Sequence, residues 1–67
     1  MDYRDLVFIS VAENMSISRA ADSLHISQPA VSNHIKQLES KYNTPLFDRV
    51  GNKIFLNSAG KLLYSNL

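Results

Sequence analysis

Apolar residues recur at helical spacing along most of the chain. Between Asp2 and Asn14, the side chains of Val7, Phe8, Val11 and Met15 share one side of a 100° wheel, and Leu6 and Ile9 fall opposite. A helix apolar on two faces is expected between two partners. One face should cover the segment that follows, and the other should meet the C-terminal segment. A second helix is predicted with Ser18 as N-cap and Asp22 in its first turns, where an acid favours the dipole. Its Ala20, Ala21 and Leu24 point inward. The chain then breaks at His25, Ile26 and Ser27. A third helix, about 28–42, starts with Ser27 as N-cap and Pro29 in the first turn, where amide hydrogens need no partner. Its inward stripe is Val31, Ile35, Leu38 and Tyr42. Asn43 ends it in the left-handed conformation, and Pro45 prevents its continuation.

The period then changes. Leu46-Phe47 and Ile54-Phe55-Leu56 read as two short strands separated by residues 48–53, with Gly51-Asn52 as the turn signal. Such a hairpin is a wing, with Arg49 and Lys53 on either side of its tip. Asn57 is placed to cap a last helix through Ser58, Ala59, Lys61, Leu62, Leu63 and Tyr64. That helix is still running at Leu67, the pattern expected of a piece of a longer protein. The expected fold is mainly α: a three-helix winged helix-turn-helix with a short β-hairpin wing and the start of a C-terminal helix.

Adjacent small residues at Ala20 and Ala21, a three-residue break and a second helix describe two short helices crossing at close range. A helix-turn-helix presents its second helix to the major groove of DNA in that way. The face opposite Val31, Ile35 and Leu38 carries Pro29, Ser32, Asn33, Lys36 and Ser40, with Gln28 at its N-terminal edge. Gln and Asn pair bidentately with adenine, and Ser bonds to several base edges or to phosphate. Pro29 and Ala30 suit a thymine methyl, and Lys36 suits phosphate. The competing reading is an ordinary solvated face. Such a face normally alternates long charged residues, whereas this one is short-chained and nearly uncharged for two turns. Arg49 and Lys53 suit backbone phosphate or the minor groove, or serve as solubilising charges on a loop. Arg19, at the start of the second helix, either holds a phosphate or pairs with Asp22 or Glu39.

Composition narrows the classes. Sixty-seven residues make one small domain, which buries only roughly 60% of its unfolded surface. Without cysteine there is neither a disulfide nor a thiolate zinc site to staple it, so oligomerisation is the remaining support. The lack of cysteine also fits a reducing cytoplasm. No apolar run approaches the ~20 residues of a membrane span, and the N-terminus has no basic-then-apolar signal pattern. A net charge of +1 is weak for a DNA-binding domain. Its distribution says more, because residues 16–53 carry Arg19, Lys36, Lys41, Arg49 and Lys53 against Asp22, Glu39 and Asp48. Catalysis is not expected. His25 and His34 are the only histidines and have no ordered carboxylate partner for a metal, no serine sits in a nucleophile elbow, and Gly51 and Gly60 form no phosphate loop. No cofactor is expected.

The run Ala20-Ala21, Leu24, Ile26-Ser27-Gln28-Pro29-Ala30-Val31-Ser32, Ile35, Leu38-Glu39, Leu46-Phe47, Arg49, Leu56 and Ala59-Gly60 resembles the N-terminal domain of LysR-type transcriptional regulators. The resemblance covers nearly the whole chain, and Ser-Gln-Pro-Ala-Val-Ser is its strongest part. It implies a bacterial winged helix-turn-helix over 1–57, and over 58–67 the start of a linker helix that pairs with its twin and leads to an effector-binding domain. Such regulators act in the cytoplasm, on the nucleoid, as dimers or tetramers on interrupted palindromes of promoter or operator DNA. They respond to a small molecule held by the further domain. By position, the resemblance puts Gln28, Pro29, Ser32 and Asn33 near bases, and Ser27, Lys36, Arg49 and Lys53 mainly on the backbone. Asn33 stands where Arg is frequent, which leans the contact toward adenine. Asn52 and Phe55 stand where basic residues are frequent, which implies a weaker wing. A second class of function is a winged helix used for protein association, favoured by the low charge and the apolar terminal helices. The small polar face of the third helix opposes it, since an interface wants aromatic or aliphatic anchors. Leu6, Ile9, Leu62, Leu63 and Leu67 are expected to pack on each other or on a second chain.

Overall fold

A computed structural model describes all residues, 1–67. The order of elements is α1 (Tyr3–Asn14), α2 (Ile17–Leu24), α3 (Gln28–Tyr42), β1 (Phe47–Val50), β2 (Lys53–Leu56) and α4 (Ser58–Asn66). Each helix start is capped by a short polar side chain. Asp2 accepts from the backbone of Arg4 and Asp5, and Asp5 reaches back to the Asp2 amide to close a capping box. Ser27 caps α3 through Ala30 at 3.2 Å, and Asn57 caps α4 through Gly60 at 2.8 Å.

The start of α2 differs from expectation. Its N-cap is Ser16, which accepts from the Arg19 amide at 3.1 Å, and Ser18 lies inside the helix. The spacing decides this: a cap bonds the amide three residues on, and Ile17 is then the first helical residue. Asp22 therefore sits in the last turn and not the first, so it does not favour the dipole. Met15, expected on the buried side of α1, is its left-handed C-cap at φ 50° and is 45% exposed.

Ten side chains form the core: Val7, Phe8 and Val11 of α1, Ala20 and Ala21 of α2, Val31, Ile35 and Leu38 of α3, with Leu46 and Ile54. Helix α1 lies against both α2 and α3 and touches β2. The Phe8 ring meets Phe47 with centroids 5.4 Å apart, which seats the wing on the same core. Tyr42 ends the α3 stripe half out in solvent. The second apolar face of α1 is only partly used. Ile9 packs against the core, Leu6 stays about half exposed, and α1 meets α4 through a hydrogen bond from the Tyr64 hydroxyl to Glu13 at 2.8 Å. That bond raises the Tyr64 pKa above its ordinary 10.0, because a neighbouring carboxylate holds the phenol proton. Leu63 packs inward, while Leu62 and Leu67 are exposed.

The hairpin is tighter than its sequence suggested. Asp48, Arg49, Val50 and Lys53 belong to the ladder, Leu46 precedes it, and Gly51-Asn52 alone makes the turn. Gly51 takes φ +62°, the positive value that matches the turn to the strand twist. The antiparallel register pairs Phe47 with Leu56, Asp48 with Phe55, Arg49 with Ile54 and Val50 with Lys53.

Gly60 is the tightest point of the fold. A methyl group there would collide with the Leu46 carbonyl oxygen and lie 2.9 Å from Leu56 Cδ2. Gly60→Ala is expected to destabilise the chain by about 3 kcal/mol in a thermal or denaturant melt, as backbone cannot yield the way a side-chain end can. A second expectation concerns acid. Asp2 is held below its ordinary 3.8, chiefly by the hydrogen bond from the Arg4 side chain; desolvation opposes this, and the Asp5 and Arg4 amides add to the lowering. A depressed folded pKa gives stability that is complete above the unfolded value and lost as pH falls through the folded one. Asp2→Ser caps without charge, so melts followed from about pH 5 to about pH 2 should show a shallower acid decline in the variant.

Candidate nucleic-acid interface

The turn between α2 and α3 is built from backbone bonds. His25 takes φ 57° and donates to Asp22 at 3.3 Å, while Ile26 donates to Ala21 at 3.1 Å. These two bonds form a Schellman closure, which reverses the chain within three residues. The next residue, Ser27, already caps α3. The other end of α3 closes the same way, with Asn43 at φ 54° donating to Ser40 and Thr44 donating to Glu39. Helix α3 is thus a rigid rod of fifteen residues, roughly 22 Å long, fixed at both ends.

One side of that rod is buried by Val31, Ile35 and Leu38. The other side carries the residues singled out from sequence. Gln28, Pro29, Asn33 and Lys36 are exposed and Ser32 is half-buried. Gln28, Ser32, Asn33 and Lys36 make no side-chain hydrogen bond within the chain, so their polar atoms are free for an external partner; the Ser27 hydroxyl oxygen is engaged by the cap and keeps its O–H to donate.

Two open clefts, each of about 280 Å³, border the wing, one against α3 and the other against the α1–α2 junction. In one, Ser32, Lys36 and Arg49 come together with Glu39, over a floor that includes Ile35 and Ile54. Arg49 reaches it because period 2 along β1 puts it on the same face as Phe47, opposite buried Ile54. In the other, Arg19 and Lys53 share a wall with Asn14, Met15, Ser16 and Asn52. Gln28, Pro29 and Asn33 lie outside both clefts, at the open start of α3.

Of the seven lysines and arginines, only Arg4 forms an ion pair, with Asp2 at 2.9 Å. Arg19 pairs with neither Asp22 nor Glu39, the two structural partners considered for it. Arg19, Lys36, Arg49 and Lys53 are therefore four unpaired cations spread over α2, α3 and the wing. His34 faces away from this surface. Its ring meets Tyr3 of α1 edge-on at 5.3 Å and its Nδ1 is buried without a partner, while His25 serves the turn.

Sequence reasoning passed over Ser16 and Asn52 as neighbours of Arg19 and Lys53. The signal for Ser16 was present, as a serine three residues before Arg19 and directly after the first helix. Asn52 had none, because only the closed hairpin brings its tip to α2.

The chain matches the family of bacterial regulatory helix-turn-helix proteins of lysR type over residues 6–61. The chain belongs to the LysR family. It is similar to the RuBisCO operon transcriptional regulator of Acidithiobacillus ferrooxidans, 46% identical over 59 residues, which is 88% of this chain and 19% of that regulator. The chain thus spans about a fifth of the length of that relative. Its fold is that of LysR winged helix domains. The crystal structure of a LysR-family transcriptional regulator from Eggerthella lenta superposes with TM-score 0.91 at 44% identity, covering 98% of this chain and 94% of that one. The DNA complex of the CbnR DNA-binding domain superposes with TM-score 0.88 at 34% identity, covering 98% and 77%. No helix is long and apolar enough to cross a membrane.

Proposed function

We propose that this chain is the sequence-reading domain of a LysR-type transcriptional regulator, with α3 in the major groove of its operator and the wing on the backbone or minor groove. The observation that carries this is the outer face of α3 together with its surroundings: free short polar side chains at the start of the helix, flanked by four unpaired cations. Gln28, Ser32 and Asn33 read base edges, with Pro29 against a thymine methyl. Ser27, Lys36, Arg49, Lys53 and Arg19 hold phosphates and set the register. The similarity to the CbnR domain, whose structure holds DNA, supports this reading.

Residues 1–57 form the reading head, and 58–67 begin the helix through which two copies associate. Leu62, exposed on α4, and Leu67, exposed just past its end, support that assignment. The domain works by binding and not by catalysis, and it acts in the cytoplasm on the nucleoid. The whole regulator responds to a small molecule in a further domain.

Selection from a random duplex pool, followed by fluorescence anisotropy at two salt concentrations, tests the assignment. A short motif should be enriched. Gln28→Ala should weaken the preferred site by about 1–3 kcal/mol and relax one or two positions. Lys53→Ala should weaken all sequences alike and reduce the slope of log K against log salt by about 0.9. Equal weakening on every duplex by Gln28→Ala would remove that residue from base reading. Absence of binding even at low salt would leave protein association as the function.

A further inference from the structure

Three links meet at Pro45 and Leu46, between the end of α3 and the start of the wing. Glu39 Oε2 accepts the Leu46 N–H at 2.9 Å. The Leu46 carbonyl accepts the Asn57 N–H at 3.1 Å, and the Pro45 carbonyl accepts Asn57 Nδ2 at 2.9 Å. The same Asn57 side chain caps α4 through Oδ1. One stretch of backbone is thus tied forward to β2 and α4 by Asn57, and back to α3 by Glu39. The Glu39 bond is the only side-chain hydrogen bond between α3 and the segment 44–56.

A carboxylate is an odd choice for this place. It lines the cleft shared by Lys36 and Arg49, where a negative charge weakens attraction to phosphate. It forms an ion pair with neither cation. Its bond goes to a backbone amide beside buried Leu46, at the root of the hairpin that carries Arg49 and Lys53. A charged acceptor makes a stronger bond to an amide than a neutral one.

We propose that Glu39 is the positioning residue of the wing: by holding the Leu46 N–H, it fixes the hairpin so that Arg49 and Lys53 meet the DNA backbone in register with α3. This rests on the reading of the wing as a phosphate contact. Glu39 itself touches no DNA, and it acts through Leu46.

Charge and reach separate in two variants. Glu39→Gln keeps an acceptor at the same reach and drops the charge. Glu39→Asp keeps the charge and falls about 1.5 Å short. Each is combined with Lys53→Ala, and binding to the selected duplex is measured by anisotropy, alongside hydrogen exchange of the Leu46 amide in the free chain. In the parent, Lys53→Ala is expected to weaken binding about fivefold. In Glu39→Asp, Leu46 should exchange faster, and the further loss from Lys53→Ala should shrink below about twofold, the non-additivity of sites that share one support. Glu39→Gln should keep the fivefold effect and most of the protection, its neutral acceptor making a weaker bond at the same reach. Gln28→Ala should stay additive with Glu39→Asp, which general loosening of the domain would not permit.

The proposal is overturned if Lys53→Ala costs the same fivefold in Glu39→Asp. It is equally overturned if the variants sort by charge, Gln binding tighter and Asp binding unchanged. If Lys53→Ala has no effect in the parent while Leu46 is still deprotected in Glu39→Asp, the phosphate role of the wing has failed, and the positioning role falls with it.

Discussion

The close approach of α2 and α3 over Ala20 and Ala21 is the constraint on which the rest of the structure depends. Both methyl groups are buried, under Val7, Phe8 and Val11 of α1 and beside Val31, Ile35 and Leu38 of α3. Helix spacing follows side-chain size at the contact, and with alanines it sits at the short end of the usual 8–10 Å. A larger residue there would lift α3 off its bed. In a core of ten side chains there is nowhere to absorb the shift. The orientation of α3 is therefore set from beneath, and the wing is tied to α3 through Glu39 and seated on α1 through Phe47 against Phe8.

The helix ends convert that packing into a defined surface. Three of them close through a non-glycine residue in the left-handed region, Met15, His25 and Asn43. Each such residue carries a steric cost of roughly 1–2 kcal/mol that glycine would avoid. At His25 and Asn43 the cost is offset by paired backbone bonds that close the last carbonyls of α2 and α3. Closure in so few residues lets Ser27 follow at once as the cap of α3. The first exposed residues of α3, Gln28 and Pro29, thus lie where the rod begins and where its orphan amides add positive potential.

Most of this was legible from the chain, and the exceptions share a cause. Helices with a polar cap and a periodic apolar stripe, α3 above all, followed directly from Ser27, Pro29, Val31, Ile35, Leu38 and Asn43. The start of α2 did not, because Ser16 and Ser18 are equally good caps and only the three-residue reach to an amide distinguishes them. Met15 was placed on the buried side because its wheel angle says so, yet the helix unwinds at that residue and turns it outward. The strand limits were too short because Asp48, Arg49 and Lys53 look like loop residues, while a two-residue turn at Gly51-Asn52 pulls them into the ladder. On the candidate surface, the individual residues could be named from composition and spacing. Their grouping could not: Arg19 meets Lys53, and Lys36 meets Arg49, only after the hairpin folds back on the helices.

The low net charge looks at first like evidence against a nucleic-acid surface, but net charge is the wrong quantity for a domain of this size. At physiological salt, exposed charges farther apart than ~8 Å hardly feel one another, so a phosphate responds to the local set. Of the six acids, Asp2 and Asp5 are spent on the cap of α1, Glu13 on Tyr64 and Glu39 on Leu46, each bound to a structural donor. None of them forms an ion pair with Arg19, Lys36, Arg49 or Lys53. Those four cations keep their donors for an external partner. On the proposed reading, one phosphate for each of the four gives a modest, salt-sensitive affinity, with a slope near −3.6 on duplex DNA at about 0.9 per contact. Specific occupancy of one operator among many competing sites needs more than that. On the proposed reading, joining two copies through α4 doubles the surface with no further charge on either, and a domain that keeps its own charge near neutral and leaves Leu62 exposed on its last helix fits that arrangement.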